Sequence, residues 1–250
     1  MNKSHAREEA IKRVSVLAPE RGSYPEILRS AIQIANILKV PVRLLIPAKF
    51  MLERPSKFGF YTEFMEEQSR QTGIFWEQVI FEESIPDFLK KMLPGQDFFI
   101  TLKENDLAQA VLSHASCPIL FIPKSFEHGF REVLLAYAGG RFSEKALHLV
   151  ALLAKFGKCS VRVLTIGNSS PALRMAHERS RYLMDKWKVN AKFEMLKDEI
   201  KPCILANCEN KDVSLLVLGA SETNKWRDHH FRSLSQAIVE ETHCPVMVVK

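Results

Sequence analysis

Long apolar runs are missing from this 250-residue chain, and so are closely paired cysteines. No stretch approaches the roughly 18–20 consecutive apolar residues that a membrane-spanning helix needs, so no membrane association is expected. No apolar run follows the first positive charges of the segment Met1–Glu9. That segment therefore does not read as a secretory leader, and a cytoplasmic location is expected. The cysteines stand at 117, 159, 203, 208 and 244 and form no Cys-x-x-Cys pair. Neither a zinc site nor a disulfide framework is expected from them; reduced, they act as small apolar residues. Strong charge asymmetry is also lacking. The net charge is +6, with 16 basic and 15 acidic residues in 1–125 and 19 and 14 in 126–250. Such a surplus can welcome an anion, but it forms no basic stripe for nucleic acid.

What the chain does have is a repeat. One copy ends in His114-Ala115-Ser116-Cys117-Pro118-Ile119-Leu120-Phe121-Ile122-Pro123-Lys124 and the other in Thr242-His243-Cys244-Pro245-Val246-Met247-Val248-Val249-Lys250. A repeat of this size fixes the domain count, so two domains are expected, 1–125 and 126–250. Matching Ala18 with Ala136 gives an offset of 118, matching Val42 with Val161 gives 119, and the Cys-Pro pairs give 127. About ten extra residues therefore lie late in the second copy, before its closing run. The linker Ser125–Phe130 is short.

Each copy alternates short apolar strands with amphipathic helices, the pattern of an α/β domain with a mainly parallel sheet. In the first copy, strands are expected at Val14–Ala18, Val42–Ile46, Ile74–Phe81 and Phe98–Thr101. Ile27, Leu28, Ala31, Ile34, Ala35 and Leu38 make one helical stripe across Tyr24–Leu38. The stretch Ala48–Gly73, with Pro55 and Gly59, reads as a loop in which a helix resumes near Thr62. Ser84 and Asp87 resemble a capping box with Pro86 in the first turn, and Leu107–Ser113 is the last helix. The second copy repeats the order, with helices at Ser143–Phe156, Pro171–Trp187, Ile200–Cys208 and Ser233–Thr242. Its strands are Glu132–Tyr137, Val161–Ile166, Ala191–Met195, Val213–Leu218 and Val246–Val249.

Ligands of open parallel sheets bind beyond the carboxyl ends of the strands. After the first strand of copy two comes Ala138-Gly139-Gly140-Arg141-Phe142-Ser143. Glycines there let backbone N–H groups approach a phosphate at a helix N-terminus; the competing reading is a tight turn with Ser143 as N-cap. After the fourth strand comes Gly219-Ala220-Ser221-Glu222, then nine residues, then Arg232-Ser233. On this order of elements, and on the Cys-Pro-Val-x-Val-Val ending, the chain resembles the universal stress protein family in its tandem form. The resemblance implies two doubly wound, mainly parallel α/β domains packed as a pseudo-dimer, with the closing runs Pro118–Ile122 and Pro245–Val249 side by side.

Nucleotide-binding members of that family carry Gly-x2-Gly-x9-Gly-[Ser/Thr] in this loop and an aspartate after the first strand. Laid on that pattern, Gly219 and Ser233 are kept, while Glu222 and Arg232 replace glycines. Ala138 stands at the aspartate position and Glu20 at its counterpart in copy one. A side chain obstructs close backbone approach, and a carboxylate beside phosphates adds repulsion. The ATP site therefore reads as altered in copy two and deleted in copy one. Gly139, Gly140, Gly219, Ser221, Arg232 and Ser233 remain as residues that could hold a nucleotide or a small anion, with Lys225 and Arg227 adding charge nearby.

No Ser/His/Asp order and no convincingly spaced carboxylate pair is found, and adjacent His229 and His230 would point about 100° apart on a helix, so no catalytic residue and no metal is expected. The expected function is a non-catalytic, stress-responsive or regulatory role through a small anionic ligand or a protein partner, with weak or no ATP binding. Two alternatives are an ATP binder with slow hydrolysis in the second domain and a soluble regulatory domain of transporter type. Trp226 and Phe231 in the loop suit a partner surface, and a homodimer of the full chain is left open.

Overall fold

The computed structural model describes residues 11–18, 24–92, 95–103, 105–124, 126, 129–168, 170–210, 212–220 and 234–250. The chain divides into two compact units, Met1–His128 and Gly129–Lys250, a division slightly later than the one at 125 suggested by the repeat. No described helix is long and apolar enough to cross a membrane.

In the first unit, β1 (Arg13–Leu17), β2 (Val42–Pro47), β3 (Trp76–Phe81), β4 (Asp97–Leu102) and β5 (Ile119–Ile122) form a parallel sheet ordered β3-β2-β1-β4-β5. Its helices are α1 (Tyr24–Leu38), α2 (Ala48–Glu53), α3 (Pro55–Thr72), α4 (Ile85–Met92) and α5 (Asn105–His114). The order reverses at β1, so right-handed crossovers carry α1 and α3 to one face and α4 and α5 to the other. Strands covered on both faces need apolar residues at consecutive positions. That is why β4 and β5 are buried along their whole length. The one charge inside β4, Asp97, is fully buried and accepts from Arg13 Nε at 2.9 Å and Ser15 Oγ at 2.9 Å. A buried charge must be paired and hydrogen-bonded in this way.

The second unit repeats the topology. Here β6 (Glu132–Ala136), β7 (Ser160–Ile166), β8 (Ala191–Leu196), β9 (Val213–Gly219) and β10 (Val246–Val249) are ordered β8-β7-β6-β9-β10, all parallel. Helices α6 (Arg141–Gly157) and α7 (Pro171–Lys186) follow β6 and β7. Helices α8 (Ile200–Cys208) and α9 (Leu234–Glu241) follow β8 and β9 and cover the opposite face. The β6–β9 ladder shifts register between Glu132 and Val133, which leaves Ser214 as the extra residue. Its hydroxyl accepts from the N–H groups of Arg131 at 2.6 Å and Glu132 at 3.0 Å and lies 3.0 Å from the Glu132 carbonyl. The backbone groups freed by the bulge are thereby satisfied. All five cysteines are free and buried.

Strand pairing corrects the repeat arithmetic. Val14 pairs with Val42 as Val133 pairs with Val161, so the first two strands of both copies share an offset of 119. Glu20 therefore corresponds to Gly139, not to Ala138, and it lies outside the described residues. The slip arises because the inner residues Val16–Ala18 and Val133–Ala136 are all apolar, so neighbouring alignments satisfy the pattern equally well.

The stretch read as a loop, Ala48–Gly73, is helical. α2 and α3 meet at Arg54, whose φ of −144° and ψ of 61° break the helix, and Pro55 opens α3 in its first turn. Proline is favourable there. The periodicity was faint because α3 buries little: Tyr61 and Met65 inside it, with Phe50 of α2 stacked on Tyr61 at 5.8 Å. The capping pair at α4 is present, with the Asp87 N–H donating to Ser84 Oγ at 3.4 Å and Ser84 Oγ donating to the Asp87 carboxylate at 2.6 Å.

Gly59 sits within α3, and a Cβ built there meets nothing within 4 Å. Removing its unfolded-state freedom stabilises by about 0.5–1 kcal/mol. Gly59→Ala is expected to raise the urea midpoint with an unchanged slope; an unchanged or lower midpoint would contradict a helical Gly59.

Candidate functional site

Two adjacent glycines set the site's first wall. Gly139 and Gly140 have φ of +78° and +83°, a region other residues enter only with strain. The chain therefore turns sharply off β6, and α6 starts at Arg141 with Gly140 as its N-cap and no side-chain cap. Ser143 is thus inside the first turn and is not the N-cap the sequence suggested, because the glycine pair turns the chain earlier. Helix amides at such an end carry partial positive charge.

Gly219 sets the second wall by close approach. A Cβ there would fall 2.6 Å from Ser143 N, 2.8 Å from the Phe142 carbonyl carbon and 2.9 Å from Ser143 Cα. All three are backbone atoms, so the end of β9 and the first turn of α6 touch directly. In the first unit, strand pairing puts Leu102 at the corresponding place, where it is buried, and α5 begins almost at once, at Asn105.

Between these walls lies a cavity of about 320 Å³, beyond the carboxyl ends of β6 and β9. This is the place where the strand order reverses, as open sheets prescribe. Strand ends contribute Ala136, Ala138, Leu164, Ile166, Leu218 and Ala220. Ile200 and Ile204 come from α8, Leu234, Ser235 and Ile238 from α9, and Phe142 and Ser143 from the first turn of α6. No carboxylate and no cationic side chain is among these described lining residues. Of the residues proposed from sequence, Gly139, Gly140 and Gly219 meet here. Ser221, Arg232 and Ser233 lie outside the described residues, as do Glu222, Lys225, Trp226, Arg227, His229, His230 and Phe231.

Sequence reasoning missed Ser235 and the α8 isoleucines. The i, i+4 pair Ile200 and Ile204 was the available signal, but it fits any helix packed on a sheet. It also missed a polar cluster beside the site. The buried Tyr137 hydroxyl donates to Glu144 Oε1 at 2.7 Å, and Arg179 of α7 holds the same carboxylate through Nε and, at 3.3 Å, through Nη2. Burial, then the bond to Glu144, pushes the Tyr137 phenol well above its usual range. Burial pulls Glu144 upward too, but the Arg179 and Tyr137 hydrogen bonds and the Arg179 charge outweigh it and hold the carboxyl below its usual range. Among the described residues, no group of three His, Cys, Asp or Glu side chains is placed to hold a metal.

Residues 129–250 match the model of the universal stress protein family. The second unit is a universal stress protein domain. No curated protein matched the chain. Among solved structures, the chain is similar to a universal stress protein from Archaeoglobus fulgidus DSM 4304, with 14% identity and a TM-score of 0.70, covering 94% of this chain and 96% of that one. A functionally unknown protein from Pseudomonas aeruginosa PAO1 gives 15% identity and a TM-score of 0.70, covering 98% and 94%. The cytoplasmic domain of a prokaryotic cation chloride cotransporter gives 13% identity and a TM-score of 0.58, covering 95% of each. At these identities the likeness establishes the α/β fold of the whole chain.

Two measurements probe this universal stress protein domain. Gly219→Ala must displace the first turn of α6 and is expected to cost about 1–3 kcal/mol, read as a lower urea midpoint; a neutral effect would contradict the close approach. Glu144 has a depressed folded pKa, so its contribution is present above the ordinary carboxylate range and is lost as pH falls through the folded value. Glu144→Gln should therefore lower stability most above about pH 5 and converge with the parent chain under more acidic conditions. A gap that does not vary with pH would rule out the ionised cluster.

Proposed function

We propose that the chain is a cytoplasmic, non-catalytic stress-responsive or regulatory protein that acts by binding, with weak or no affinity for ATP. One observation carries the reading: the described lining of the switch-point cavity holds neither a carboxylate nor a cation, and Ala138 stands beyond β6. ATP brings ribose hydroxyls and several negative charges, and each needs a partner once water is excluded. Gly219 offers no open backbone either, because the first turn of α6 fills the space beside it.

A second reading, a soluble regulatory domain of transporter type, draws on the likeness to the cotransporter domain, which is a likeness of fold. Under either reading the working event is recognition of a ligand or protein partner, and turnover is not required.

Calorimetry of the full chain with magnesium and ATP tests the proposal. The expected result is no saturable binding tighter than about 1 mM, or about −4 kcal/mol. Micromolar binding that disappears in Ser233→Ala would overturn it in favour of a nucleotide-binding protein using the loop of the second domain.

A further inference from the structure

Resting on that reading of the same cavity, we infer that the second unit binds a small amphiphile with an aliphatic body and one compact anionic group, of the medium-chain carboxylate class. The body follows from the walls. Ile200 and Leu234, with smaller contributions from Ile166, Ile204 and Leu218, present aliphatic surface to a space of about 320 Å³, and the fully buried Leu164 and Ile238 back them. That volume lies near the small end of the range for ligand pockets. Each methylene moved there from water contributes favourably and without directional demands.

The charged group follows from a separate observation. Ser235 is 5% exposed and lines the cavity, yet its hydroxyl has no hydrogen-bond partner among the described residues. Ser143, across the cavity, has none either. Ser143 sits in the first turn of α6, and Ser235 faces the same cavity from α9. The unpaired hydroxyls thus share the cavity with one helix end of positive partial charge that has no side-chain cap. Hydroxyl donors beside such an end favour an anion over a cation. Among the described lining residues no carboxylate repels it, and no cationic side chain balances a polyanion. A single negative charge on an aliphatic body satisfies both halves of the site.

Octanoate, 1-octanol and magnesium ATP, titrated separately into the full chain by calorimetry, test the inference. Octanoate is expected to bind once per chain, at least tenfold more tightly than 1-octanol, and to slow amide hydrogen exchange in α8 and α9. Ser235→Ala should reduce the preference for octanoate over 1-octanol. Ala138→Trp, at an exposed lining position, should abolish binding while keeping a cooperative thermal melt. The inference is overturned if octanoate fails to saturate at millimolar concentration, if 1-octanol binds equally well, or if a folded Ala138→Trp retains affinity. Should Ala138→Trp not fold, the exchange pattern and the Ser235→Ala ratio decide the matter on their own. Tight ATP binding would defeat the functional proposal above, whereas absence of binding by all three probes would defeat only this inference.

Discussion

The contact between Gly219 and the first turn of α6 governs the functional half of this molecule. Two backbones meet there with no side chain between them. The contact anchors the start of α6 over the end of β9 and so fixes where its N-terminal amides point. It also closes one side of the cavity. A glycine that motif reasoning would assign to phosphate binding is committed here to packing, and the site's chemistry follows from what that packing leaves room for.

Much of the fold could be read from residue pattern because the central strands of both units are buried on two faces. Runs such as Ile119–Ile122 and Val246–Val249 can be little else in a chain with these helical stripes between them. α1 and α8 were legible to the residue. The failures have physical causes. α2 and α3 expose most of their surface, so no stripe announced them. The repeat offset slipped by one at β1 because Val16–Ala18 and Val133–Ala136 are all apolar and the polar residues of the two strands, Arg13, Ser15 and Glu132, do not match in kind. The site was only half legible. Glycines at strand ends can be found from sequence, whereas Ser235 and Ile204 matter through proximity created by the crossovers. Tyr137 follows β6 while Glu144 and Arg179 lie in α6 and α7, and no spacing rule connects them.

The copies differ at the switch point of the sheet. Leu102 fills the position that Gly219 leaves bare, and the connection from β4 to α5 is brief. In the first unit a buried apolar side chain thus stands at the switch point. Beside it lies a buried hydroxyl without a hydrogen-bond partner, Thr101 Oγ1.

The start of each central strand has a further consequence, for how a duplicated chain avoids folding on the wrong copy. In the first unit Arg13 lies opposite Asp97, and Ser15 shares that carboxylate. In the second unit the place of Arg13 belongs to Glu132, which pairs with Arg162 at 3.2 Å, while the place of Asp97 belongs to the neutral bulge residue Ser214. Placing β6 in the first sheet would set Glu132 against Asp97, a like-charge encounter close to the core, where screening is weak. The reverse exchange meets no such clash, because Arg13 already lies beside Arg43, the first-copy counterpart of Arg162, with Glu77 shared between them. The buried Asp97 thus marks the first sheet as the one that disfavours the wrong central strand.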